Sequence, residues 1–205
     1  MPPKPIQEQF GQAIIDAVNS FAAQDLQSVD AIESVHFTHI GDATLKRRLA
    51  ETFYGARWIY KLGLALLVRN VEQIAHVRAQ LIDYAAVCEG LLSSMIDHGL
   101  AANHLTGQKY KFRDPDQQQK PLNWNIGHRL TKLNKQSLYW LITVAAEEGI
   151  VSQQLATRLQ WLREERNRVH VRARSHQAFL DRSKEAFDVV IGVIAQTKVW
   201  KSNHP

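Results

Sequence analysis

The chain has 205 residues, 45% of them apolar, which suits one sizeable packed domain, alone or with a helical extension, rather than a disordered tail. Its single cysteine, Cys88, excludes an internal disulfide and a cysteine-rich zinc site. The net charge of +5 is modest, Met1 to Glu8 lacks the apolar core of a secretory signal, and no apolar run is long enough for a bilayer. A soluble, cytoplasmic protein without a membrane partner is expected.

Sparse Pro and Gly and long periodic stretches favour helices over many short strands. The first helix is expected from Pro5 to Gln24, with Phe10, Ile14, Val18 and Phe21 on one stripe. Asp25 to Asp42 reads as loop with some short structure. Helix resumes from Thr44 to about Asn70, with Leu49, Phe53, Trp58, Leu62 and Leu66 at apolar positions. From Val71 to Leu100 the residues Ile74, Val77, Leu81, Tyr84, Cys88, Leu91 and Met95 alternate steps of three and four. Ala85 and Leu92 widen that stripe. Such a face packs against another helix or a second copy of the chain, and core packing is expected for most of it.

Ala101 to Thr131 reads as a long connection. It carries Lys109, Lys111, Arg113, Lys120, His128 and Arg129, with Tyr110, Phe112 and Trp124 interleaved. Basic and aromatic residues together suit single-stranded nucleic acid, but a surface loop with a few anchoring aromatics is the preferred reading. Helix returns from Lys132 to Glu148, with Gly149 placed to close it and Ser152 to open the next, Gln153 to Arg172. Ser175 is placed to cap a last helix to Trp200, with Phe179, Phe187, Val190 and Ile194 facing inward. The fold class expected is all-α, an up-and-down bundle.

Between Arg158 and Arg174 lie six arginines against Glu164 and Glu165 alone, a local basic patch that attracts polyanions. At about 100° per residue, Arg163, Arg166, Asn167 and His170 share one helix face, while Glu164, Glu165 and Arg168 point elsewhere. The apolar stripe Leu155, Leu159, Leu162 extrapolates to Arg166 and Val169. A guanidinium on an apolar stripe is costly without partners, so a structural or functional demand is implied. Histidine moves protons near neutral pH, and an arginine fork holds phosphate oxygens. With no metal site or cofactor expected, that chemistry suits attack by a ribose 2′-hydroxyl on its own phosphate. The competing reading is a hydrogen-bonded network that pins this helix to a neighbour.

At these residues the chain resembles the HEPN superfamily, whose mark is an arginine, four to six residues and a histidine. Arg163, six residues and His170 match, with Arg166-Asn167 as the embedded pair. The resemblance covers Val71 to Lys201, and residues 1–70 form an N-terminal helical extension without an assignable motif. It implies a HEPN-like bundle over 71–205 that pairs as a homodimer through the motif helix. Its active members are metal-independent endoribonucleases that leave a 2′,3′-cyclic phosphate and a 5′-hydroxyl. Arg163, His170, Asn167 and Arg166 would be catalytic. Arg168, Arg172 and Arg174 would bind RNA, and Glu89 would orient Arg163 or His170. The partners implied are RNA and an antitoxin or larger defence complex, in a toxin or stress role. A tyrosine two residues after the histidine marks members silenced by adenylylation; here that position is Arg172, so such control is not expected.

Other constellations are weak. His36 with His39, His98 with His104 and His170 with His176 lack a third ligand at a recognisable spacing, and no metal is expected. Gly107 to Lys109 falls short of a phosphate loop. A catalytically silent helical module that binds RNA or a protein partner remains the alternative to the enzyme.

Overall fold

Short polar side chains begin four of the helices, each accepting a hydrogen bond from a backbone N–H three residues on. Ser28 bonds Ala31 at 3.2 Å, Asp42 bonds Leu45 at 3.0 Å, Ser137 bonds Trp140 at 3.3 Å and Ser152 bonds Leu155 at 3.2 Å. Each satisfies a donor that the first helical turn leaves without a partner. The computed structural model describes residues 5, 9, 11–105, 129–168 and 180–205, and the regular elements among them are all helices. These are α1 (Gln12–Ala23), α2 (Val29–His36), α3 (Ala43–Ala65), α4 (Asn70–Ala101), α5 (Arg129–Leu133), α6 (Leu138–Glu147), α7 (Gln153–Asn167) and α8 (Leu180–Asn203).

The long helix α4 is the axis of the molecule. It packs against α3, α5, α6, α7 and α8; α3 in turn carries α1 and α2. The periodic stripe explains this role. Val77, Leu81, Tyr84, Ala85, Cys88, Leu91, Leu92 and Met95 are all buried, joined by Val87, Ile96 and Leu100 on flanking faces. Ile74 is half-buried. The expected use of the stripe in the core therefore holds for this chain's own helices. Buried side chains of α2 and α3 belong to the same continuous core as those of α4, α6, α7 and α8. Phe37, Phe53, Tyr84 and Phe187 link α3, α4 and α8 through ring centroids 5.8 to 6.4 Å apart.

The connection from α6 to α7 follows its sequence signals. Gly149 adopts φ +69°, Ile150 N–H bonds Ala145 O at 2.8 Å and Gly149 N–H bonds Ala146 O at 3.3 Å. That left-handed close ends α6 and hands the chain to Ser152. Three expectations are corrected. The helix expected from Lys132 to Glu148 is two: α5 ends at Leu133 and α6 begins at Leu138 behind the Ser137 cap. The stripe on α1 does not face inward: Ile14 is 48% and Phe21 43% exposed, and small Ala22 is the buried residue. This helix packs on α3, where Lys61 lies over the Phe21 ring at 5.8 Å. The helix expected to reach Asn70 stops at Ala65, and exposed Leu66 begins a turn. Phe10, Ser175 and Phe179 lie outside the described residues, as do the basic and aromatic residues from Lys109 to His128.

Two buried groups bear on solution behaviour. Burial pushes the Cys88 thiol well above its usual range, so it is not a nucleophile. His39 Nε2 lies 3.0 Å from Thr197 Oγ1, whose hydroxyl already donates to Val193 O at 2.7 Å. His39 therefore donates through Nε2, leaving Nδ1 buried without a partner among the described residues. Burial, then the Lys198 charge, lowers its pKa from 6.5 to about 4. The unfolded chain binds this proton first, so the stability contributed by neutral His39 is present above pH 6.5 and lost as pH falls toward 4. The denaturation midpoint is expected to drop over that window, and His39→Leu to flatten the drop. An unchanged profile in the variant would remove His39 as its cause.

Candidate functional site

Helix α7 buries Leu155, Ala156, Leu159 and Leu162, and the next inward position is Glu165, only 4% exposed. This corrects the expectation that Arg166 continues the apolar stripe and that Glu165 points away. From Leu162 a step of three or four stays on the same face, so periodicity alone does not choose between them. The choice follows from neighbours. Arg168 Nη1 sits 2.6 Å from Glu165 Oε1, and Arg182 of α8 bonds the other carboxylate oxygen. A carboxylate held between two guanidiniums tolerates burial; Arg166 at that position would meet two like charges.

Arg166 instead lies beside the stripe, its side chain 39% exposed, with Nη1 3.5 Å from Glu89 of α4. Glu89 thus faces Arg166, not Arg163. Arg163 turns the other way, toward α6. Its Nε donates to Gln160 Oε1 at 2.7 Å, its Nη2 approaches Glu164 at 3.5 Å, and its guanidinium lies 5.4 Å from the Tyr139 ring centre. Asn167 and Arg168 are exposed at the end of the helix. His170, Arg172 and Arg174 lie outside the described residues. The structure therefore brings Arg163, Arg166 and Asn167 to one helix end and divides the two arginines between neighbouring helices.

Arg166 is also one edge of an open groove of about 680 Å3. Small residues of α4, Ala86, Gly90, Ser93 and Ser94, line it, and Arg48 of α3 and Asn134 stand at its sides. Gly90 permits this close packing, because a Cβ there would lie 2.8 Å from Leu49 Cδ2. On α4 the acidic residues Glu89 and Asp97 are eight apart, two turns along one face. Arg166 pairs with the first, and Arg129 of α5 bonds the second through Nε. Arg48 has no ion pair with the described residues. The groove is thus mixed in charge: the Arg48 and Arg166 guanidiniums, with hydroxyl and amide groups, can hold phosphate oxygens, while the Asp42, Glu89 and Asp97 carboxylates oppose a polyanion.

Sequence reasoning missed Arg48, Asp97, Glu165 and Arg182. A usable signal for the groove was present in the small residues at 86, 90, 93 and 94, on the side of α4 away from its apolar stripe. Nothing local marked Glu165, whose decisive partner lies seventeen residues away. The described residues contain no group of three or more side chains placed to hold a metal. Where His98 and His104 approach, His98 Nε2 donates to His204 O at 2.7 Å and the Lys201 ammonium sits 3.0 Å from Nδ1, whose lone pair it occupies. No described helix is long and apolar enough to cross a membrane. The chain matches no family model, no curated protein and no solved structure.

Proposed function

We propose that the chain is a metal-independent endoribonuclease of HEPN type, working as a homodimer with the Arg163 to His170 segments of two copies in one cleft. The observation that carries this reading is the Arg166–Glu89 pair, which ties the arginine face of α7 to the edge of an open polar groove. The all-helical architecture around one long helix agrees with it.

In the proposed reaction, a His170 imidazole takes the proton from a ribose 2′-hydroxyl as that oxygen attacks the adjacent phosphorus. A second His170, from the other copy, gives a proton to the departing 5′-oxygen. Arg163 clamps the non-bridging oxygens and offsets the charge that grows on them, while Arg166 and Asn167 fix the orientation. Arg168, Arg172 and Arg174 hold flanking phosphates. The products are a 2′,3′-cyclic phosphate and a 5′-hydroxyl, and no metal is consumed or required. Such an activity suits a toxin, defence or stress role, with an antitoxin or larger complex restraining it in the cytoplasm.

One observation favours the silent alternative, an RNA-binding or partner-binding module. Each of Arg163, Arg166 and Arg168 already has a partner within the chain. The Arg166–Glu89 pair is half-exposed and long, so its attraction is weak and a phosphate can replace the carboxylate. Incubating the purified protein with labelled total RNA in EDTA is expected to yield fragments ending in cyclic phosphate. Cleavage that needs added magnesium, or binding without cleavage, would overturn the enzymatic reading.

A further inference from the structure

Where α3 passes into α4 the structure contains a second, smaller and drier cavity of about 240 Å3, away from the arginine groove. We propose that it is a binding site for a small apolar carboxylate, with the hydrocarbon in the cavity and the carboxylate on Arg69.

The walls are Leu64, Leu67, Val68 and Val77, beside the polar Tyr60, Gln73 and His76, and the Gln80 amide at the floor is already satisfied. Gln80 is buried; its amide donates to His76 O at 3.0 Å and its carbonyl accepts the Ser183 hydroxyl. The floor therefore makes no demand for water, and the interior favours hydrocarbon. An apolar cavity of about 150 Å3 is enough to bind benzene. The larger space here fits one aromatic ring with a short chain.

Two features of the backbone at this cavity carry a cost to folding. Gly63 lies inside α3, where glycine is a poor helix former, and a Cβ there would come 3.2 Å from both His76 Nδ1 and Val68 Cγ2. Any side chain at 63 would press on two lining residues. Leu67 and Asn70 adopt φ +50° and +52°, the left-handed region that disfavours a branched side chain such as leucine. Leu67 is also 73% exposed, so burial does not compensate for its conformation. A strained, exposed leucine at the mouth of an apolar cavity has its use when a ligand covers it.

The mouth supplies the charge preference. Arg69 is exposed beside Gln73 and has no ion pair with the described residues. A guanidinium at the open end of a hydrocarbon slot favours an anionic head over a neutral one.

The test uses 4-phenylbutyrate, its neutral isostere 4-phenylbutan-1-ol, and acetate, titrated into the full chain by calorimetry and by amide chemical-shift mapping. Saturable binding of phenylbutyrate is expected, about tenfold tighter than the alcohol, with shifts centred on residues 63–80. Acetate should not bind. Arg69→Ala should bring acid and alcohol to equal affinity, and Val68→Phe, which fills the cavity, should abolish both. No saturable binding by the wild type, equal binding of acid and alcohol, or undiminished binding by folded Val68→Phe overturns the proposal. Should Val68→Phe fail to fold, shifts mapping outside 63–80 overturn it equally.

Discussion

Replacing His170 with alanine is expected to slow RNA cleavage by roughly 10²–10⁴-fold, the usual loss when a positioned proton-transfer group is removed. Arg166→Ala is expected to cost about 10²–10³-fold, the scale of one lost charge-stabilising donor. The Arg166→Ala effect should fall on the rate and not on the fold, because Arg166 is half-exposed and its partner Glu89 keeps access to water. The stability change for Arg166→Ala should stay within about 1 kcal/mol, as for other solvent-screened pairs. Glu89→Gln separates two roles for that carboxylate. If it orients Arg166, cleavage falls while RNA binding is kept; if it only occupies the guanidinium until RNA arrives, binding tightens and cleavage is preserved. Cleavage rates, RNA affinity and melting temperature measured on the same preparations give the answer. Full activity in His170→Ala would end the assignment of the site.

The second large effect is on stability. Glu165→Ala is expected to destabilise the protein by about 2–4 kcal/mol. Breaking a fully buried pair costs roughly 3–5 kcal/mol, but here both arginines keep partial contact with water, with side chains 50% and 28% exposed. The loss has two parts: a cavity on the inward face of α7, and two guanidiniums brought together without the charge between them. Glu165→Leu fills the cavity and continues the stripe of Leu155, Leu159 and Leu162, so it should cost less than alanine and leave mainly the charge term. Denaturant midpoints of the two variants, at low and high salt, resolve the parts. Equal stability of wild type and Glu165→Ala would mean that the buried carboxylate contributes nothing to the fold. Because Arg182 belongs to α8, the same contact fixes the end of α7 against the last helix.

Much of the helical framework was legible in one dimension. Helix α4 announces itself because apolar residues recur at the helical period for seven positions, and a face that regular has to be buried somewhere. The α6 to α7 connection is equally readable: Gly149 tolerates the left-handed close, and Ser152 carries an oxygen at the right distance for the next N–H. Short or lightly packed elements were harder. Helix α2 has two turns and one buried residue, Ile32, too little pattern to separate from loop. The α1 periodicity is real, yet Ile14 and Phe21 stay exposed although the helix packs on α3.

The sequence by itself therefore determined the helical class, the central helix and several caps, since each rests on residues within a few turns. Tertiary structure alone decided that Glu165 and not Arg166 turns inward, that Glu89 meets Arg166, and that Arg48, Asp97 and Arg166 line one groove. Those outcomes depend on charges and volumes brought from distant parts of the chain. Helical periodicity says which residues share a face, while the partner that face meets sets which charges can be buried there.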